Sequence, residues 1–398
     1  MHFLQLSIKI DCVHKKLLYL GFFGDTIVLK QCSIFAKPQA PFCEETEIFM
    51  NSDLGFDNGF EIYRKAMKND AKKIFSRFNL GLFAYTAIAY LVTLVVEVVL
   101  LLALGEKFND LLSNVYFVSL LGFAPMYVFG LPTLCLIVWK MPKQRPQKSK
   151  ISFADFLIIF AVSQALMSVG NLIGNGLNVV ISGIINKEIS NATSDLIEGM
   201  PYWLIILLVV IIAPLVEEFI FRKLMIDRLS PCGSVAAIAV SSLVFALSHG
   251  NLYQFFYAAM MGAVLGYVYV KSGRFIYCFI LHALINFFGS VAILPLIDMS
   301  EELTVFYEML ASGQEIDVSR FMICSMAVSS YTIINYVIVG AGIFLLVRGF
   351  MHKKIKVNSN PAINIHGADC ASAAIFNVGS ILYLAASLIT IVASLFII

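Results

Sequence analysis

Charge is scarce in this chain. Of its 398 residues only 14% are charged while 59% are hydrophobic, and the mean hydropathy of +0.85 lies well outside the range of a soluble domain. The net charge of +2 says little about partners, because the distribution of Lys and Arg between loops matters more than their sum. Nucleic acid is not an expected ligand. Cysteine pairing is missing too. Cys12, Cys32, Cys43, Cys135, Cys232, Cys278, Cys324 and Cys370 are scattered without a C-x-x-C pair or zinc-ribbon spacing, which argues against a disulfide framework and a structural zinc site. No H-E-x-x-H motif, internal repeat or low-complexity tract occurs. The opening "MHFLQLSIKIDCVHKKLLYLGFFGD" lacks a continuous apolar core followed by a small-residue cleavage site. A secretory signal peptide is therefore not expected, and the first transmembrane helix is expected to do the targeting.

Long apolar runs are present instead, near 81–104, 116–139, 152–174, 201–222, 233–249, 253–270, 275–297, 328–347 and 373–398. Each crossing consumes about 20 residues, so the spans leave no room for a large soluble domain and any chemistry must lie among the helices. The expected fold is all-α, a polytopic integral membrane helix bundle with an eight-helix core (80–350), a linker (351–372) and one extra C-terminal span (373–398). Residues 1–58 show no helical period and are an extension without an assigned fold, within which Met50 is a candidate start. In 59–79, Phe60, Tyr63, Met67, Ala71, Ile74 and Phe78 recur every three or four positions with Lys and Arg opposite. That pattern fits a helix on an anionic membrane surface, or equally a solvated helix leading into the first span.

Basic residues collect in 64–77, 140–150, Lys223 with Arg228, 271–274 and 348–356, whereas 105–115, 175–200 and 298–320 are poorer in them. The alternation predicts a cytoplasmic N-terminus and an external C-terminus.

Within "APLVEEFIFRKLM" (213–225), charges enter an otherwise lipid-soluble run, at a cost of at least ~2.5–3.5 kcal/mol each at mid-bilayer. Glu218 and Arg222, four residues apart on a helix, share a face and can pair. Lys223 can reach the interface. Glu217, turned ~100° from Glu218, has no local partner. The next span ends in "FALSH" and the seventh contains "HALIN", placing Phe245 with His249 and His282 with Asn286 at i and i+4. An intramembrane His or Asn can simply bridge helices, but consecutive polar positions on three spans are hard to explain as separate packing devices. Chemically, Glu217 and His249 suit holding a water and taking its proton, and His282 and Asn286 suit donating to an oxyanion. That describes peptide-bond hydrolysis. The alternative makes Glu217, His249 and His282 ligands of a divalent metal such as zinc.

In their order on three spans, Glu217-Glu218-x-x-x-Arg222, Phe245-x-x-x-His249 and His282-x-x-x-Asn286 resemble the three motifs of the CAAX-protease and bacteriocin-processing family of intramembrane endopeptidases. The likeness covers about 81–350 and is concentrated in 201–290. It implies a protease-like core in which Glu217 and His249 activate water, Glu218 and Arg222 support them, His282 and Asn286 assist at the oxyanion, and Phe245 packs beside the site. It further implies a peptide or protein substrate within the lipid bilayer, no firmly bound cofactor, and a bacterial plasma membrane. The competing classes are a non-enzymatic immunity or scaffold protein of the same fold and, third, an ion-coupled transporter.

Depth poses a problem for this site. At 1.5 Å per residue, Glu217 lies ~9 Å from Lys223, but His249 lies ~24 Å along its helix from Gly233. The fifth helix is therefore expected to be tilted, short or displaced. Elsewhere, Glu97 is a lone carboxylate, Asp155, Gln164 and Asn171 share one side of the third span, and Gly262 and Gly266 form a G-x-x-x-G pair suited to close helix approach.

Overall fold

A computed structural model describes the backbone at 8–10, 16–23, 26–33 and 48–51 and residues 56–396 other than 192–193, 195–196, 198, 358–360, 364 and 366. Side chains are described from Glu61 onward, residue 62 excepted. Contacts divide the chain into Met1–Asn69 and Asp70–Ile398. The first unit contains an antiparallel meander of β1 (Ile8–Ile10), β2 (Lys16–Phe23), β3 (Thr26–Ser33) and β4 (Ile48–Asn51). Phe23 faces Thr26 in the β2–β3 hairpin, and Thr26 faces Asn51 across β3–β4. Aliphatic and aromatic residues in β2 and β3 suit this pairing, which explains the missing helical period.

The second unit is an all-α membrane bundle. Apart from the six-residue helix Lys107–Leu112, its helices are α1 (Phe56–Leu104, entering from the first unit), α2 (Val115–Val138), α3 (Phe153–Ile185), α4 (Tyr202–Cys232), α5 (Ser234–Ser248), α6 (Leu252–Ser272), α7 (Phe275–Ala311), α8 (Val318–Met351), α9 (Gly367–Ile375) and α10 (Val378–Ser394). Among the described residues, seven helices are long and apolar enough to cross a membrane, α9 and α10 form a bent pair at 66°, and α5 is shorter. The chain is thus an integral membrane protein.

Boundaries differ from the expected ones in instructive ways. The basic segment 59–79 and the first span are one helix, α1. Ala71, Ile74 and Phe78 on its apolar face are buried in protein, so this face does not lie on a membrane surface. Gly81 keeps α1 close to α2, since a Cβ there would come within 2.9 Å of the Leu134 side chain. The linker expected over 351–372 already contains the start of α9. Asn377 then caps α10 by accepting from Ser380 N at 2.9 Å, which sets the bend.

The last helix is docked rather than peripheral. Asn79 Nδ2 donates to Ser380 Oγ at 2.7 Å, Gly379 N donates to Ser76 Oγ at 3.1 Å, and Tyr383 Oη donates to Val244 O at 3.2 Å. These bonds tie α10 to α1 and to α5.

Small residues fix the packing around α6. A Cβ on Gly262 would lie 3.0 Å from Ser242 Cα, and one on Gly266 would lie 3.1 Å from Ile238, so both allow α5 to approach α6 as expected. Gly170 and Gly174 do the same for α3, facing the α6 backbone at Tyr257 and Leu252. Asp155 belongs to the N-terminal turn of α3, where Ser152 Oγ accepts from its N–H at 3.0 Å. At 15 residues and about 22 Å, α5 is too short for a bilayer core of ~30 Å, so its C-terminus ends at depth.

Candidate active site

Helix α4 carries the carboxylates. Its regular turn Ala213–Glu218 lies between two stretches, Ile206–Ile212 and Phe219–Ile226, that are wound more widely, with i→i+5 hydrogen bonding. Such wide turns leave carbonyls available and change the angle at which side chains leave the helix. Glu218 is fully buried, while the Glu217 side chain keeps 29% of its exposure. Only Glu217 can therefore be reached by water.

Glu218 is held from two sides. Arg222 Nε donates to Glu218 Oε2 at 3.0 Å, the i,i+4 pair expected from the sequence, and His282 Nδ1 lies 3.0 Å from Oε1. Arg222 is itself fully buried. Its Nη1 donates to Ser241 Oγ at 3.0 Å, and that hydroxyl donates onward to Phe221 O at 2.8 Å. Its guanidinium carbon lies 5.1 Å from the centre of the Phe245 ring, a cation–π contact. Among the described residues Nη2 has no hydrogen-bond partner.

His282 spans the two acids, its Nε2 lying 3.6 Å from Glu217 Oε2. With Nδ1 turned to Glu218, Nε2 is the ring nitrogen that faces Glu217. At 3.6 Å this contact is longer than a hydrogen bond, which leaves both groups free to turn toward a third.

His249 arrives from α5. Its Nδ1 donates to Phe245 O at 2.8 Å, which leaves Nε2 as the acceptor nitrogen. The Phe245 ring lies edge-on between the two imidazoles, 4.8 Å from His249 and 5.9 Å from His282 by centroid. Short α5 thus resolves the depth mismatch, and the three motifs converge on one side of α4. Asn286 differs from the expected free donor, because its Nδ2 donates to Val209 O at 2.9 Å in the widened part of α4. Among the described residues no three His, Cys, Asp or Glu side chains are arranged to hold a metal ion.

One contributor escaped the sequence reading. Ser241 precedes Phe245 and His249 at the same four-residue interval, a spacing visible in "SSLVFALSH".

These features define a class, an integral membrane helix bundle with a buried carboxylate–arginine–imidazole cluster beside a water-reachable acid. Residues 199–288, which carry all three motifs, match the family model described as type II CAAX prenyl endopeptidase Rce1-like. The family resemblance is thus borne out over the segment on which it rests. The human protein named "CAAX prenyl protease 2" is 30% identical over 104 residues, covering 21% of this chain and 32% of that protein. The Bacillus subtilis (strain 168) protein named "Putative membrane peptidase YdiL" is 27% identical over 167 residues, covering 41% of this chain and 67% of its own. The chain therefore spans about a third of the human relative's length. No solved structure gives a significant match.

Proposed function

We propose that the protein is an integral membrane endopeptidase that hydrolyses a peptide bond of a membrane-associated substrate with water activated by Glu217 and His249. One observation carries this reading: the water-reachable carboxylate of Glu217 lies 3.6 Å from His282 Nε2, and the Phe245 ring packs against both His282 and a His249 whose Nδ1 is committed to a backbone carbonyl. The match of 199–288 to an endopeptidase family supports it.

In this mechanism Glu217 and His249 Nε2 both accept from one water, and Glu217 takes its proton as the oxygen attacks the carbonyl carbon. The carbonyl oxygen becomes an oxyanion. His282 Nε2, whose contact with Glu217 is longer than a hydrogen bond, donates to it, joined by the Asn286 N–H not used on Val209. Collapse of the tetrahedral intermediate breaks the C–N bond, and Glu217 returns its proton to the leaving amine. Glu218 and Arg222 act through His282 by fixing its ring. No step passes through a metal.

In this reading the loops 140–150 and 271–274 face the cytoplasm, by the distribution of Lys and Arg. A prenylated C-terminal peptide, the substrate class that the human relative's name indicates for that protein, is the first to test. Peptides from membranes of cells carrying wild-type and Glu217→Ala protein provide the assay. Fragments present only with wild type support the reading and identify the substrate. Identical peptides overturn it and favour a non-enzymatic membrane factor of the same fold.

A further inference from the structure

Away from the acid cluster, an open groove of about 500 Å³ is lined by Arg77, Leu136, Trp139 and Lys140. Two cations and two apolar side chains form its walls, and no carboxylate does. Arg77 belongs to α1, Leu136 to the last turn of α2, and Trp139 and Lys140 immediately follow that helix.

The level of the groove in the membrane follows from α2. Its 24 residues span about 36 Å, enough to cross a hydrocarbon core of ~30 Å, so Trp139 and Lys140 emerge at the headgroup boundary. Trp prefers that boundary. Arg77 is held at the same level because its Nε donates to Ile137 O at 2.9 Å. The Leu136 and Trp139 side chains are three-quarters exposed, at 76% and 75%, and so face lipid rather than protein.

The charges in the groove are unspent. Among the described residues, the two terminal nitrogens of Arg77 and the Lys140 ammonium have no hydrogen bond or ion pair. A guanidinium fixed through Nε presents its remaining N–H groups as a fork that matches two phosphate oxygens. The end of a helix ordinarily repels anions, but here two of the last carbonyls are occupied. Ile137 O accepts from Arg77, and Val138 O accepts from Arg228 Nε at 2.9 Å and from Met141 N at 3.1 Å.

We propose that this groove is a binding site for an anionic phospholipid of the adjoining leaflet. Its phosphate lies between Arg77 and Lys140, and its glycerol and first acyl methylenes lie along Trp139 and Leu136. The site is independent of the hydrolytic reading. It uses none of the residues of the acid cluster, and it gives the α1–α2 corner a preference for negatively charged membranes.

The test is native mass spectrometry of the full-length protein released from nanodiscs of equal phosphatidylglycerol and phosphatidylcholine. Wild type is expected to retain one phosphatidylglycerol in preference to phosphatidylcholine. Lys140→Gln should lower that preference about fivefold, as expected for one cation near a membrane surface. Trp139→Ala should weaken retention of the lipid without changing the headgroup preference. Because Arg77 also caps α2, Arg77→Gln is read only alongside a thermal melt that shows it folded. Equal retention of the two lipids by wild type, or an unchanged preference in Lys140→Gln, overturns the proposal. So does displacement of the lipid by millimolar inorganic phosphate, which would mark a site for free anions.

Discussion

The backbone carbonyl of Phe245 accepts a hydrogen bond from His249 Nδ1 at 2.8 Å, one turn back along the same helix. This bond selects the tautomer whose Nε2 carries the lone pair, and it aims that nitrogen away from the helix. A histidine that bridged helices would spend this second nitrogen on a neighbouring helix, and among the described residues the His249 ring bonds only to Phe245. Glu217→Gln and His249→Ala should therefore each lower peptide cleavage by ~10²-fold or more while the purified protein keeps its helical circular dichroism. Retention of activity in both variants would remove the proposed general base.

Arg222 provides a different kind of test, since it neutralises a carboxylate that water does not reach. Arg222→Ala leaves Glu218 buried beside His282 alone, and breaking such a pair costs ~3–5 kcal/mol. The variant should melt at a lower temperature in detergent and fail to cleave. Because the guanidinium uses Nε and Nη1 in different directions, Arg222→Lys should recover little of either property.

Metal removal offers a third prediction. With His282 turned to Glu218 through Nδ1, and with no three-ligand group among the described residues, cleavage should persist after exhaustive treatment with EDTA and 1,10-phenanthroline. Inactivation reversed by added zinc would contradict the water-only mechanism.

Close approach of α5 and α6 predicts a fourth outcome. Gly262→Val adds bulk where a Cβ already lies 3.0 Å from Ser242 Cα and 3.2 Å from the Phe245 ring. Overpacking of this kind costs ~1–3 kcal/mol, and here it pushes on the residues that carry His249. Activity should fall more steeply than thermal stability, as measured by cleavage rate beside the melting midpoint.

The docked last helix predicts a fifth. Ser380→Ala removes the acceptor for Asn79 Nδ2, which then lies buried without a partner at a cost of ~1–3 kcal/mol. A lower melting temperature with an unchanged cleavage rate is expected. An unchanged melting temperature would mean that the α1–α10 contact contributes little.

Much of this was legible in the residues. The apolar runs located the helices because lipid requires about 20 of them per crossing, and the four-residue intervals in α4, α5 and α7 gave the polar cluster because one helical turn brings such residues to one face. The mismatch in depth between Glu217 and Gly233–His249 called for a fifth helix that is tilted, short or displaced, and the helix is short. What stayed hidden depended on contacts between distant segments. The buried face of α1 reads as a lipid-surface face because protein and bilayer are equally apolar. Engagement of Asn286 by Val209 requires a widened stretch of α4 that no side-chain pattern announces. The docking of α10 rests on Asn79 and Ser380, which are 301 positions apart.

The early ending of α5 carries one more consequence. A chain that reverses within hydrocarbon must satisfy its own peptide groups, because acyl chains offer them nothing. Asn251 does this locally. Its amide donates to His249 O at 3.0 Å and its carbonyl accepts from Gln254 N at 2.8 Å, while Gly250 takes the φ of +67° that the reversal needs. The turn thus acts as its own solvent at the point where the short helix stops.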